Sequence, residues 1–149
     1  MTDAIIELVG PEELPVIVEL YNIIFRPPRD QESFERRFRS RWNVMRMLAR
    51  IRNEPVGFAL GFELKPSVFF FWFCGVIAEA RRLGVASQLV EAVHEFARQN
   101  DYEIIRLECT NQHRPMLMLS LRQEYDIVGL RWDPDLESNL VILEKRLTV

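Results

Sequence analysis

The sequence predicts a mixed α/β fold, with a central and mostly antiparallel sheet of about seven strands flanked by four helices. Three observations carry that prediction. The run Phe69–Phe73 is too apolar on both faces for a surface strand and reads as a strand buried on both sides of a sheet. Past Cys74 and Gly75 the period changes. Val85, Ala86, Leu89, Val90, Val93, Phe96 and Ala97 recur at three- and four-residue steps, the stripe of an amphipathic helix. Upstream, two alternating segments joined by short turns lead into the aromatic run, as an antiparallel meander would.

Taken in order, Ile5 to Val9 reads as a short first strand. Gly10-Pro11-Glu12-Glu13 opens a helix, because proline suits the first turn and early carboxylates suit the helix dipole. Leu14, Ile17, Val18, Tyr21, Ile24 and Phe25 form its buried stripe, and Pro27-Pro28 stops it. Asp30 is placed to cap a second helix with Phe34 and Phe38 inward, ending near Trp42. Met45, Met47, Ala49 and Ile51 then alternate with Arg46, Leu48, Arg50 and Arg52 along a strand. After the Asn53-Glu54-Pro55 turn, Val56, Phe58, Leu60 and Phe62 fall on one side of the next strand. Gly57, Ala59 and Gly61 fall on the other, leaving room for a helix or a ligand. Lys65-Pro66-Ser67 links this strand to the aromatic one. Beyond the long helix come a strand at Ile104–Thr110, a short helix at Met116–Gln123, and closing strands at Tyr125–Trp132 and Leu140–Leu147. No repeat, low-complexity tract or boundary interrupts the order. Residues 1–149 therefore read as one domain, long enough to bury about two thirds of its unfolded surface.

Apolar residues make up 48% and charged residues 28%, the balance of a soluble globular chain rather than a disordered one. No apolar run approaches the roughly 20 residues of a membrane span. Met1-Thr2-Asp3-Ala4 lacks the basic lead and apolar core of a secretory signal. Cys74 and Cys109 fall on separate strands without metal-ligand spacing, and His94 and His113 are isolated, so no metal is expected. The cysteines read as reduced, packed thiols of a cytoplasmic protein. The net charge of −3 hides an asymmetry. Between Arg26 and Arg52 nine arginines face three acids, a surplus of +6, which leaves −9 on the rest. Such a segment suits either a solvated helix and strand face or the steering of an acidic substrate or of phosphates. The acidic remainder would repel a nucleic-acid backbone.

Between the aromatic strand and the long helix lies Arg81-Arg82-Leu83-Gly84-Val85-Ala86. The first turn of a helix leaves backbone N–H groups without partners, and the macrodipole adds partial positive charge there. A glycine lets a bulky anion approach the backbone, and two arginines add full charge, so this junction is suited to phosphate. A plain strand–loop–helix connection, with glycine easing the turn, reads the same way from the physics alone.

The spacing Arg81-x-x-Gly84-x-Ala86 resembles the Q/R-x-x-G-x-G/A signature of the GCN5-related N-acetyltransferases, the GNAT superfamily. In that family the motif follows the fourth strand, opens the third helix and binds the pyrophosphate of acyl-CoA. Phe73-Cys74-Gly75-Val76 stands where the family's central strand ends, and the order β-α-α-β-β-β-α-β-α-β-β is that of a GNAT domain over essentially the whole chain.

The resemblance implies acetyl-CoA, or another acyl-CoA, as co-substrate. Arg81, Arg82, Leu83, Gly84, Val85, Ala86 and Ser87 would hold it at the helix start. Parallel strands four and five would splay apart near Val76 and Ile77, whose free backbone groups would bind the pantetheine arm, and Asn111 would reach the cofactor from the end of strand five. The amine would attack directly, with an N–H near Val76 polarising the thioester carbonyl, so that no nucleophilic side chain is required. Two positions depart from the family pattern. Many members carry a tyrosine that protonates the leaving thiolate, within N-x-x-A-x-x-x-Y-x-x-x-G-F. Alignment on Tyr125 puts Ser120 at that tyrosine and His113 at the asparagine. Some members carry a glutamate base within strand four, where Phe70 stands here. Ser120 is thus the implied proton donor, with Glu108 and then Glu63 as candidate bases.

The expectation is an N-acetyltransferase acting on a primary amine of a small molecule or peptide, without nucleic-acid or membrane partners, and with a homodimer left open. Segment 26–52 is expected to border the pocket and to favour anionic acceptors. The departures at Ser120 and Phe70 motivate an alternative, a catalytically degenerate GNAT domain that binds acyl-CoA as a sensor or interaction module. A third reading is an α/β interaction domain whose glycine junction binds nothing.

Overall fold

The computed structural model describes residues 4–147; Met1–Asp3, read above for a leader, lie outside the described residues, as do Thr148 and Val149. In chain order the elements are β1 (Ile5–Leu8), α1 (Leu14–Ile24), α2 (Gln31–Phe38), β2 (Trp42–Ile51), β3 (Glu54–Lys65), β4 (Val68–Val76), α3 (Val85–Gln99), β5 (Ile104–Thr110), α4 (Arg114–Arg122), β6 (Asp126–Asp133) and β7 (Ser138–Arg146). Short 3-10 turns precede α1 and follow β4. The seven strands form one sheet in the order β1-β2-β3-β4-β5-β7-β6, antiparallel throughout except for the β4–β5 pair. This is the expected mixed sheet with four helices.

Local chemistry accounts for most boundaries. Asp30 caps α2, its Oδ1 accepting from the Ser33 N–H at 2.9 Å. That helix ends at Phe38, short of the expected Trp42, because Trp42 is already paired with Glu63 as the first residue of β2. Leu20 joins Leu14, Ile17 and Tyr21 in the buried stripe of α1. Val56 departs from the alternation read along β3. Ala49 pairs with Gly57 but Arg50 with Pro55, so Val56 is an extra residue at a β-bulge. The bulge turns Val56 to the face opposite Phe58, Leu60 and Phe62.

The sheet divides the interior into two cores. On one face α3 lays Leu89, Val90 and Val93 against Met45, Met47, Phe69 and Phe71. On the other, Tyr21 of α1 and Phe34 and Phe38 of α2 pack on Leu48, Phe58, Leu60, Phe62 and Phe70. Strand β4 serves both, as its unbroken aromatic run requires. The small residues of β3 are filled by the protein itself. A Cβ on Gly57 would lie 3.2 Å from Leu89, and one on Gly61 would lie 2.7 Å from the Phe69 ring.

Inside the α3 core, His94 Nε2 and the Tyr125 hydroxyl share a buried hydrogen bond of 2.8 Å. Burial, and then the charges of Lys145 and Arg98, push the His94 imidazolium down to about 4 from its ordinary 6.5. The unfolded histidine takes its proton near 6.5 and the folded one only near 4, so stability falls as pH drops through that window and is level above it. The full loss is on the order of 2 to 3 kcal/mol. His94→Gln, which keeps a polar partner for Tyr125 but does not titrate, is expected to flatten the decline in Tm between pH 6.5 and 4. An unchanged slope in thermal melts would remove His94 from this role.

Candidate active site

The start of α3 is built by backbone that only some residues tolerate. Gly84 precedes the helix at φ 81°, ψ 9°, in the left-handed region, and Arg82 also has a positive φ of 67°. No side chain caps the helix, and its first internal bond runs from the Gln88 N–H to the Gly84 carbonyl at 3.1 Å. Upstream, the Ala80 and Arg81 N–H groups close the preceding turn onto Ile77 and Ala78. Between these bonds, no N–H from Arg82 to Ser87 finds an acceptor among the described residues. Unbonded amides at the positive end of a fifteen-residue helix form a cradle suited to an anion. Arg81, Arg82, Leu83, Gly84 and Ser87 are exposed there, while Val85 and Ala86 turn toward the core.

Next to this cradle the sheet opens. Pairing between β4 and β5 runs from Val68–Ile104 to Phe71–Leu107 and stops. At the same place β4 carries a bulge, for Gly61 pairs with Phe71 and Leu60 with Phe73, leaving Trp72 as the extra residue. Beyond it β4 continues along β3 alone, and Glu108, Cys109 and Thr110 of β5 continue along β7 alone. The gap therefore begins at Trp72, earlier than the expected Val76 and Ile77. The Ile77 N–H is bonded to the Val56 carbonyl at 2.9 Å. In an antiparallel ladder bonded residues alternate, so Ile77, Gly75 and Phe73 face β3 while Cys74 and Val76 turn their N–H and C=O groups toward the gap. Of the two backbone donors expected there, Val76 is available and Ile77 is not. The Val76 carbonyl accepts from Arg81 Nε at 3.2 Å, tying the end of β4 to the turn before α3.

The other predicted residues separate on inspection of their contacts. Ile105, Leu107 and Cys109 of β5 enter the α3 core, so Glu108 faces the α1/α2 side, where its charge acts on Arg37. Its Oε1 accepts from Arg131 Nη2 at 3.0 Å and Nε at 3.3 Å. Ser120 is buried and donates its hydroxyl to the Met116 carbonyl of its own helix at 2.8 Å. Asn111 turns toward β7, its Oδ1 accepting from the Ser138 hydroxyl at 3.4 Å. Glu63 lies opposite Phe69, where β4 and β5 are still paired, and accepts from the Tyr102 hydroxyl at 2.8 Å. Burial pushes the Cys74 thiol up to about 12 and the Cys109 thiol up to about 11, so neither is an activated nucleophile. No cluster of three or more His, Cys, Asp or Glu that could hold a metal occurs among the described residues.

One contact escaped the sequence reading. His113, at the start of α4, meets the Phe25 ring edge-on, with centroids 5.9 Å apart. Phe25 itself lies over Gly75. The end of α1 thus meets the start of α4 across the mouth of the gap. Burial, and then the charge of Arg81, lower the His113 imidazolium. Only the coincidence of His113 with the family's asparagine position hinted at this.

The chain matches the family model described as "Acetyltransferase (GNAT) family" over residues 14–119, a span that contains the gap and the cradle. The chain belongs to the GNAT acetyltransferase family. No curated protein sequence matches it significantly. Among solved structures, the ribosomal-protein-S18-alanine N-acetyltransferase of Escherichia coli superposes with a TM-score of 0.85 at 13% identity, over 98% of this chain and 95% of that one. Ard1 of Thermoplasma volcanium gives 0.86 at 18%, over 98% and 99%. The yncA protein of Salmonella typhimurium, solved with its cofactor acetyl-CoA, gives 0.76 at 12%, over 97% and 94%. At these identities the likeness carries the fold, and with it the parallel β4–β5 pair.

The Ser120 geometry generates a prediction. Its proton is spent within α4, so Ser120→Ala is expected to leave acetyl-CoA-dependent release of CoA within about twofold and to cost at most about 1 kcal/mol of stability. A hundredfold fall in release with an unchanged melting curve would restore it as the proton donor.

Proposed function

We propose that residues 1–149 act as one acyl-CoA-binding domain that transfers acetyl from acetyl-CoA to a primary amine of a small molecule or peptide, in the cytoplasm. The observation that carries this reading is the run of unbonded N–H groups from Arg82 to Ser87 beside the gap between β4 and β5. That combination fits a diphosphate attached to a long, thin arm, since one end of the site supplies amides and charge and the other supplies unpaired strand backbone.

Bound acetyl-CoA would supply an activated acetyl thioester that an amine can attack directly. The chain's part is to hold and polarise it. The amides of Arg82, Leu83, Gly84, Val85, Ala86 and Ser87, aided by the helix dipole and the charges of Arg81 and Arg82, hold the diphosphate. Arg81 also fixes the strand end through the Val76 carbonyl. The Val76 N–H, facing the gap, donates to the acyl oxygen as negative charge builds there. Ile77 and Asn111 contribute position rather than hydrogen bonds. Glu108 keeps one oxygen for Arg131; the other, Oε2, would take the proton of the amine directly or through a water as the C–N bond forms, and the C–S bond would then break, the thiolate leaving to take its proton from solvent. Ser120 has no part in this route.

A second reading is favoured by two observations: the buried hydroxyl of Ser120 and the apolar Phe70 where some members place a base. On it the domain binds acyl-CoA as a sensor or interaction module without turnover.

Acetyl-CoA is expected to raise Tm, because a ligand specific to the folded state stabilises it by mass action. At a hundredfold excess over Kd the gain is about 2.7 kcal/mol, or roughly 5 to 10 °C for a chain of this size. Gly84→Asp, which adds bulk and negative charge at the cradle, is expected to abolish the shift. Absence of any shift in the unaltered protein at millimolar acetyl-CoA would overturn both readings. Given a shift, release of free CoA across a panel of amines separates them. With turnover in hand, Glu108→Gln is expected to lower kcat about a hundredfold while leaving the acetyl-CoA shift intact. Undiminished kcat would exclude Glu108 as the base.

A further inference from the structure

We propose that the acceptor amine carries an anionic group, and that Arg29, Arg37 and Arg41 receive it in a depression formed by α2 and the turns that flank it, where Arg29 and Arg37 rest on Trp72 of the splayed end of β4. The inference rests on the transferase reading above and names the substrate class of the same site.

The cleft has a volume of about 290 Å³ and is lined by Arg29, Ser33, Arg36, Arg37, Arg39 and Arg41. Three of its cations, Arg29, Arg37 and Arg41, are held by aromatic faces rather than by carboxylates. The Arg29 guanidinium lies 5.4 Å from the Phe73 ring and 5.8 Å from the Trp72 and Tyr21 rings, and its Nε donates to the Tyr21 hydroxyl at 3.1 Å. Arg37 lies 4.9 Å from the Phe62 ring and 5.5 Å from Trp72, and Arg41 lies 4.7 Å from Phe62. Stacking of this kind orients a guanidinium without consuming its charge. Of the arginines in the cleft only Arg36 is paired, with Glu32; Arg29, Arg37, Arg39 and Arg41 form no salt bridge among the described residues.

Several cations left together, with Arg37 and Arg41 half-buried among them, repel one another. The Arg37 guanidinium is held below its ordinary range by burial and by the charges of Arg41, Arg131 and Arg29, with Glu108 opposing. Guanidinium groups do not relieve such strain by losing protons at neutral pH. An anion relieves it, and a carboxylate or phosphate can take two parallel N–H···O bonds from one guanidinium.

Position ties the cleft to the reaction. Trp72 and Phe73, which carry Arg29 and Arg37, are the residues at which β4 leaves β5, and Cys74 and Val76 follow them along the wall of the gap. The cleft lies on the α1/α2 face, opposite α3 and its phosphate cradle, so the two anion sites serve different molecules. Glu108 and Arg131 stand on the same side. An amine anchored by its acid group on these arginines thus approaches the Val76 amide from the face that the cofactor leaves open.

Paired compounds test this. β-Alanine against β-alaninamide and phosphoethanolamine against ethanolamine present the same amine with and without a carboxylate or a phosphate, and comparing the two pairs shows which anion is preferred. At constant ionic strength, kcat/KM for CoA release is expected to be at least about tenfold higher for the anionic member of one pair, the worth of one charge-assisted hydrogen bond. In Arg37→Met and Arg41→Met, where a flexible apolar chain keeps some packing on Phe62, the preference is expected to fall to about twofold or less. Both variants are expected to keep the Tm shift with acetyl-CoA, which also shows that they are folded. Without acetyl-CoA, the preferred anionic amine alone is expected to raise Tm in the unaltered protein and not in either variant. Equal turnover within both pairs, or a preference that survives both substitutions, overturns the anion site while leaving the transferase reading in place. If acetyl-CoA itself gives no shift the transferase reading falls, and the shift with the anionic amine alone still decides whether the cleft binds anions.

Discussion

The single extra residue in β4 is the constraint on which the site depends. A parallel ladder needs both strands to keep step, and Trp72 breaks the step where pairing with β5 ends. Had β4 run straight, Cys74 and Val76 would bond to β5 and the sheet would close. Instead their N–H and C=O groups point into a gap between two strands that are each fully supported from behind, β4 by β3 and β5 by β7. Backbone polar groups in such a place need partners, which a ligand with an extended, hydrogen-bonding arm would provide. The support from behind also keeps the gap open, because neither strand can move without breaking the ladder that holds it.

The sheet then works as a partition. On one face α3 presents its uncapped amides, with the left-handed Gly84 setting the helix off from the strand end and Arg81 clamping that end to the turn. On the other face β3 and β4 present an aromatic floor on which arginines of α2 and its flanking turns are stacked. Positive charge therefore lies on both sides of the gap, by two unlike devices: partial charges of backbone on one side and whole guanidinium charges on the other. The chain as a whole carries net negative charge, so these regions are local exceptions in its field.

Much of this was legible in the residues. The stripe from Val85 to Ala97, the cap at Asp30 and the aromatic run of β4 are local patterns, and local physics decides them. The glycine junction was legible too, because a positive φ before a helix has few other solutions. What was misplaced depends on pairing between segments far apart in sequence. The bulge at Val56 and the one at Trp72 are two-against-one counts between neighbouring strands, and no single strand encodes them. The same bulge moved the start of the gap, and the ladder it sits in is what binds the Ile77 amide to Val56. Ser120, Asn111 and Glu63 were candidates by type and position, yet each found a nearer partner once the chain folded.

The sequence by itself determined the family, the order of elements, the glycine junction that opens α3 and the concentration of arginine in one segment. Those properties reside in periodicity, in a short motif and in composition, all of which are read along the chain. Only the tertiary structure decided where β4 and β5 part, which amide faces the opening, how Phe25 comes to meet His113, and that Arg29, Arg37 and Arg41 stack on aromatic rings instead of pairing with acids. The physical reason is that each of these is a competition for a partner. A hydrogen-bond donor or a charge takes whichever acceptor or surface the fold brings nearest, and that distance does not exist until the strands have paired.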